Sequence, residues 1–151
     1  MNDGVLKSSR ILFRGVVEMR KELEQKLVKK YPNLYKNYNT SIYKSPMGWG
    51  FTCGDGWYDL IDWLSNVLEA IGGVVADQVK EKFGSLRFYY SFPNGISQQI
   101  ADAVRHIVTE AEYKSLTICE KCGKPGGLKL NKIKWSKVLC DDCYEEWTKD
   151  D

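Results

Sequence analysis

Apolar residues recur along this chain at two different spacings. Over residues 5–31 the spacing is helical: Val16, Met19, Leu23 and Leu27 form one stripe, while Glu18, Arg20, Lys21, Glu22, Glu24 and Lys26 fill the other faces. Lys29 and Lys30 sit where a helix dipole favours cations, and Pro32, which lacks an amide donor, stops the pattern. A second helix is expected from about Trp57 to Ala70, burying Leu60, Ile61, Leu64, Val67, Leu68 and Ile71. Asp55 is its expected N-cap and Gly72-Gly73 its stop. Between 74 and 92 the period falls to two. Leu86, Phe88, Tyr90 and Phe92 share one side of a strand, with Arg87, Tyr89 and Ser91 on the other. In the strand before it Val75, Val79 and Phe83 share a parity, complicated by Asp77 and Glu81. Gly84-Ser85 reads as the hairpin turn, and Pro93-Asn94-Gly95 ends the second strand. Helical spacing returns over 96–114 through Ile96, Ile100, Val104, Ile107 and Ala111. The expected fold class is α+β, with helices packed on a small antiparallel sheet.

The stretch from 31 to 58 follows neither period. It concentrates Tyr31, Tyr35, Tyr38, Tyr43, Trp49, Phe51, Trp57 and Tyr58 among glycines at 48, 50, 54 and 56. Such rings either roof a small core or form a ligand-facing aromatic wall.

Four of the five cysteines sit in one pattern. Cys119-Glu120-Lys121-Cys122 and Cys140-Asp141-Asp142-Cys143 are two C-x2-C pairs whose separation suits a structural zinc site, with an iron–sulfur cluster or redox thiols as the lesser alternatives. Two short knuckles would each present two thiolates to a tetrahedral zinc ion, with a hairpin around Asn131-Lys132 between them. Four thiolates leave no open position for water, so the expected zinc is structural rather than hydrolytic. The arrangement resembles zinc ribbons and divides the chain into a body over 1–115 and a ribbon-like module over 116–151. Cys53 is the odd cysteine and His106 the single histidine; no motif joins them, and a buried thiol is the simpler reading of Cys53.

Composition narrows the classes. In 151 residues, 43% hydrophobic and 28% charged residues describe a globular chain, and a formal net charge of +2 argues against a dedicated duplex-DNA binder. No apolar stretch approaches the ~20 residues of a membrane span. The first fifteen residues lack a continuous apolar core, so no secretory leader is expected and the expected compartment is a reducing cytoplasm.

Three surfaces carry candidate chemistry. Lys80, Lys82 and Arg87 can meet across the hairpin, and beside Trp49 or Trp57 they would suit a nucleotide-like ligand, with cations for phosphate and rings for a base. Ordinary sheet surface, with Asp77 and Glu81 as partners, is the plainer account. In the ribbon, Lys129, Lys132, Lys134 and Trp135 could track phosphates and stack on a base, or simply pair with the acidic tail. Asp55, Asp59 and Asp62 could share a divalent cation in an enzyme, although acidic residues at a helix start need no metal. No phosphate loop, nucleophile elbow or histidine-rich metal motif accompanies them.

Three blocks in order, WGFTCGDGWYDLIDWL, QVKEKFGSLRFYYS and the paired C-x2-C motifs, resemble a family of small uncharacterised proteins of bacteriophages and prophages, over roughly residues 31–143. The resemblance implies a bacterial cytoplasm and an accessory role, of which action against host defence is one form. It transfers no catalytic residues. The expected function is therefore non-enzymatic capture of a nucleotide-like ligand or a host protein, with nucleic-acid binding as the alternative. The aromatic segment would serve equally as a homodimer seam.

Overall fold

The computed structural model describes residues 10–11 and 17–149. Strands β1 (Arg10–Ile11) and β2 (Val17–Glu18) pair antiparallel, and helix α1 spans only Lys21–Lys30. The helix expected over 5–31 is thus shorter at its start; positions 5–9 and 12–16, Val16 among them, lie outside the described residues. The reason is a tertiary tie. The Met19 N–H donates to the Phe51 carbonyl at 3.0 Å, holding the chain extended until Arg20 opens the helix.

Glu24, expected on a solvated face of α1, is fully buried. Its carboxylate accepts from Lys21 Nζ at 3.2 Å, Tyr38 Oη at 2.9 Å and the Phe51 N–H at 2.8 Å. With three donors the charge is compensated, which is what burying a carboxylate requires.

The sheet runs in the order β3-β4-β5, with β3 (Phe51–Thr52), β4 (Val75–Lys82) and β5 (Ser85–Ser91). The β4–β5 pair is antiparallel; the short β3 lies parallel to β4. The register shifts between Ala76 and Gln78, a bulge at Asp77. Ala76 opposite Tyr90 and Val79 opposite Phe88 therefore reach the same side despite unequal parity, which removes the conflict Asp77 posed. The turn is Phe83-Gly84, one residue earlier than expected, with φ of +53° and +91°. Phe83 consequently stands at the hairpin tip instead of extending the buried side of β4.

Helix α2 (Tyr58–Ile71) buries Leu60, Ile61, Leu64, Ser65 and Leu68, and stops at Gly72 with φ +81°. A 3₁₀ turn, Asp55–Trp57, leads into it, and Asp55 does not cap it. The Asp55 carboxylate instead accepts from the Arg20 N–H at 2.9 Å and Arg20 Nε at 2.6 Å, where α1 begins. Helix α3 (Gln98–Ser115) is capped by the Ser97 hydroxyl and packs on β5 and α2 through Val104, Val108 and Ala111. Ile96 and Ile100, expected in its buried stripe, lie at the exposed end. Ser115 Oγ accepts the Leu86 N–H at 2.9 Å and pins α3 to the sheet.

The architecture is α+β. Of the clustered aromatics, Tyr31, Tyr35, Phe51 and Trp57 are buried, with Tyr35 edge-on to Phe51 at 5.0 Å between centroids, while Tyr43 and Trp49 are exposed. Among the described residues no helix is long and apolar enough to cross a membrane.

Candidate metal centre

Beyond α3 the chain forms a knuckle, a hairpin and a helix: β6 (Gly127–Leu130), β7 (Ser136–Leu139) and α4 (Asp141–Thr148). In the knuckle the Gly123 N–H donates to the Cys119 carbonyl at 2.9 Å and the Cys119 N–H to the Lys124 carbonyl at 2.8 Å. Gly123 takes φ +81°, the left-handed conformation that closes the turn. The hairpin loop is organised by Asn131, whose Oδ1 accepts the N–H groups of Ile133 and Trp135 at 3.1 and 2.9 Å. The second cysteine pair departs from the expected second knuckle. Cys140 is the N-cap of α4, and its Sγ accepts the Cys143 N–H at 3.4 Å. Asp141 and Asp142 in the first turn suit the helix dipole there.

The Sγ atoms of Cys119, Cys122, Cys140 and Cys143 all lie within 4.8 Å of one another, so the four can hold a metal ion. Cys122 and Cys140 approach to 3.7 Å. Cys119 and Cys143 are buried and Cys122 is exposed, which puts the cluster at the surface with one wall in the interior. The Cys143 N–H brings the Cys140 thiol down to about 7, while burial and the crowding of neighbouring sulfurs push Cys143 up.

The knuckle is set into the body. The Gly56 N–H donates to the Glu120 carbonyl at 2.7 Å, and Trp57 Nε1 to the Ile118 carbonyl at 2.9 Å. Val138 of β7 is buried in the main core rather than in the module's own small cluster of Cys119, Leu139 and Cys143. Glu120, inside the first cysteine pair, is buried and accepts Lys137 Nζ at 3.2 Å. Burial raises its carboxyl above the ordinary value, against the pull of Lys137. Cysteine spacing says nothing of this residue; a carboxylate between two cysteines and opposite a run of lysines was the available signal.

The other candidates separate. Trp57 is fully buried, so it cannot form a ligand wall with the exposed Trp49. Lys80 does lie opposite Arg87 in the β4–β5 register, but Arg87 pairs with Glu112 of α3 at 3.2 Å, and Lys82 lies further out, opposite Ser85. Asp55, Asp59 and Asp62 do not converge on an ion: among the described residues the four cysteines are the only group placed to hold one. Asp55 serves Arg20, and Asp62 accepts Lys30 Nζ at 2.6 Å and Tyr31 Oη at 2.7 Å. Burial alone would raise the Asp62 carboxyl, but those two bonds outweigh it and hold it below the ordinary value. Asp59 lines an open groove with Lys30, Tyr31, Asp62, Trp63 and Asn66. In the hairpin Lys129 pairs with Asp141 at 3.0 Å, and in the knuckle Lys121 pairs with Glu146 at 2.8 Å, so part of the basic run is met by the acidic helix. Lys132, Lys134 and Trp135 are exposed.

Cys53 is buried in the main core and His106 is exposed on α3. Burial lifts the Cys53 thiol well above its ordinary value, and burial likewise raises the Tyr35 phenol despite its hydrogen bond with Ser65. Both are neutral in the folded chain, and the unfolded chain ionises first, from about pH 8.5 for a thiol. Their contribution is complete below that pH and is lost as pH rises toward the folded values. Urea midpoints are therefore expected to hold steady near neutrality and to fall in alkaline buffer. Iodoacetamide should leave Cys53 unlabelled until the chain unfolds, and rapid labelling of folded protein would contradict its burial.

No family model, curated protein or solved structure matches this chain.

Proposed function

We propose that the chain is a non-enzymatic binding protein whose C-terminal hairpin is held in position by a structural zinc ion on Cys119, Cys122, Cys140 and Cys143. The convergence of four thiols from a knuckle and a helix start supports this reading most directly. A tetrahedral ion with metal–sulfur bonds of about 2.3 Å separates its sulfurs by about 3.8 Å, close to the 3.7 Å between Cys122 and Cys140. Four sulfur ligands would fill the coordination sphere, so the ion orders the chain and offers no position for substrate or water. Cys119 through the knuckle and Cys143 through α4 would be drawn together, clamping β6 and β7 between them.

We favour protein capture over nucleotide capture, because Trp57 is buried and Arg87 is engaged by Glu112, which leaves Trp49, Lys80 and Lys82 of the expected aromatic–cationic group. The resemblance of the three motif blocks to small phage and prophage proteins makes a host protein in a bacterial cytoplasm our preferred partner. Native mass spectrometry of gently purified protein, with elemental analysis, tests the metal. The expected result is one zinc per chain, lost together with the hairpin's hydrogen-exchange protection on chelation. Iron and sulfide in place of zinc, or folded protein without metal, would overturn the assignment.

A further inference from the structure

The apolar face of the C-terminal hairpin does not end where its burial ends. Val138, fully buried, lies opposite Leu128 in the β6–β7 register, and Ser136 lies opposite Leu130. Leu128 and Leu130 thus continue the buried side of the hairpin, yet they are 58% and 48% exposed. Ile133 and Trp135 in the loop beyond them are also exposed. The tip of the β4–β5 hairpin comes up beside them: a Cβ on Gly84 would stand 2.6 Å from Leu128 Cδ1. Phe83, at that tip, is 77% exposed. Two hairpins from different parts of the chain therefore present one apolar surface of Phe83, Leu128, Leu130 and Ile133, bordered by Trp135. Contiguous exposed patches of this kind mark interaction sites.

Lysines predominate around the patch, although Glu81 accepts the Gly84 N–H at 2.8 Å at the β4–β5 tip and Asp141 pairs with Lys129 of β6. No Asp or Glu occurs from 121 to 140. Lys82 Nζ sits 5.7 Å from the Phe83 ring, and Lys134, next to Ile133 in the chain, is exposed; neither makes an ion pair among the described residues. A twofold contact between two copies of this patch would set lysines against lysines, which disfavours self-association through it. Nucleic acid fits the lysines but not the aliphatic side chains, since single strands are held by aromatic stacking and phosphate contacts. What satisfies both the apolar centre and the basic rim is an amphipathic polypeptide with an acidic rim.

We infer that the Phe83–Leu128–Leu130–Ile133 surface docks an acidic amphipathic segment of another protein, its apolar residues on the patch and its carboxylates toward Lys82 and Lys134. This deepens the binding reading above and rests on it. The apolar anchors supply the affinity, and the lysines supply orientation and an ionic-strength-dependent association rate.

The test uses the full-length zinc-loaded chain and a labelled helix-forming peptide with Leu and Phe at i, i+3, i+4 and i+7 among Asp and Glu. A scramble of the same composition and oligothymidylate are the comparisons. Fluorescence anisotropy should show the peptide binding more tightly than its scramble, with weaker binding at high salt. Leu128→Glu combined with Ile133→Glu should weaken it by about tenfold or more. Lys134→Glu alone should weaken it less and flatten the salt dependence. Absence of peptide binding, equal binding of the scramble, insensitivity to the double substitution, tighter binding of oligothymidylate, or a dimer that excludes the peptide would each overturn the inference. Zinc content measured on the same samples keeps the two readings apart: failure to bind with zinc retained removes the docking surface alone, whereas zinc absent from folded protein removes the metal assignment.

Discussion

Replacing Cys119 or Cys143 with serine is expected to unfold the hairpin and α4 together and to destabilise the whole chain by about 4 kcal/mol or more. The module cannot hold itself together by packing. Its strands β6 and β7 are four residues each and α4 is eight, lengths at which an isolated hairpin or helix is marginal in water. Its own buried cluster is Cys119, Leu139 and Cys143, two of the three belonging to the proposed metal site. With zinc on the proposed four-cysteine site, metal binding would supply most of the ordering free energy. The loss then spreads inward, since Val138 leaves the main core and Trp57 Nε1 loses the Ile118 carbonyl. A buried donor left unpaired costs about 1–3 kcal/mol beyond the lost packing. Thermal unfolding should show a melting temperature lower by about 10 °C or more, using the usual scaling for a chain of this size. Cys53→Ser is the contrast: it disturbs a buried thiol but no ligand, so zinc stoichiometry should stay at the wild-type value. A Cys119→Ser protein that melts like the wild type, with the hairpin still protected from exchange, would refute the dependence on metal.

What could be read in the sequence was what depends on near neighbours. The helical stripe of α2, the alternation of β5 and the cysteine spacing all express local periodicity, and each marks an element in the structure. The departures come from contacts between distant positions. Glu24 looks solvated because its three donors, Lys21, Tyr38 and the Phe51 N–H, assemble only when residues 38 and 51 fold over α1. Asp55 has the look of a cap for the helix after it and instead meets Arg20, thirty-five positions earlier. Parity failed in β4 because one bulge at Asp77 exchanges the two sides of the strand. Trp57 resembled a ligand wall because its partner, the Ile118 carbonyl, is sixty-one residues away. At the cysteine centre the ligand types were legible, while the helix that carries the second pair was not: Asp-Asp between cysteines is as compatible with a loop as with a first helical turn.

The same long-range seam sets the expected result for Gly56→Ala, a loss of about 3 kcal/mol from one methyl group. A Cβ there would fall onto the Cys119 carbonyl oxygen and stand 2.6 Å from both the Glu120 carbonyl oxygen and the Gly123 nitrogen. All three are backbone atoms, so no side chain can swing aside; the knuckle must move as a unit. Movement would stretch the Gly56–Glu120 hydrogen bond and pull at the Trp57–Ile118 bond beside it. The knuckle also carries Cys119 and Cys122, and displacing it shifts two sulfurs relative to Cys140 and Cys143. Gly56→Ala is therefore expected to weaken zinc retention as well as stability, although residue 56 supplies no ligand. Gly127→Ala is the control, because a Cβ at that position meets nothing within 4 Å. Urea unfolding together with zinc release to a chromogenic chelator reads both quantities on each variant. Faster release from Gly56→Ala, with Gly127→Ala close to wild type, is the outcome that follows from a knuckle seated in the body. Equal release from the two variants would mean that the metal module folds independently of the turn at Gly54–Trp57.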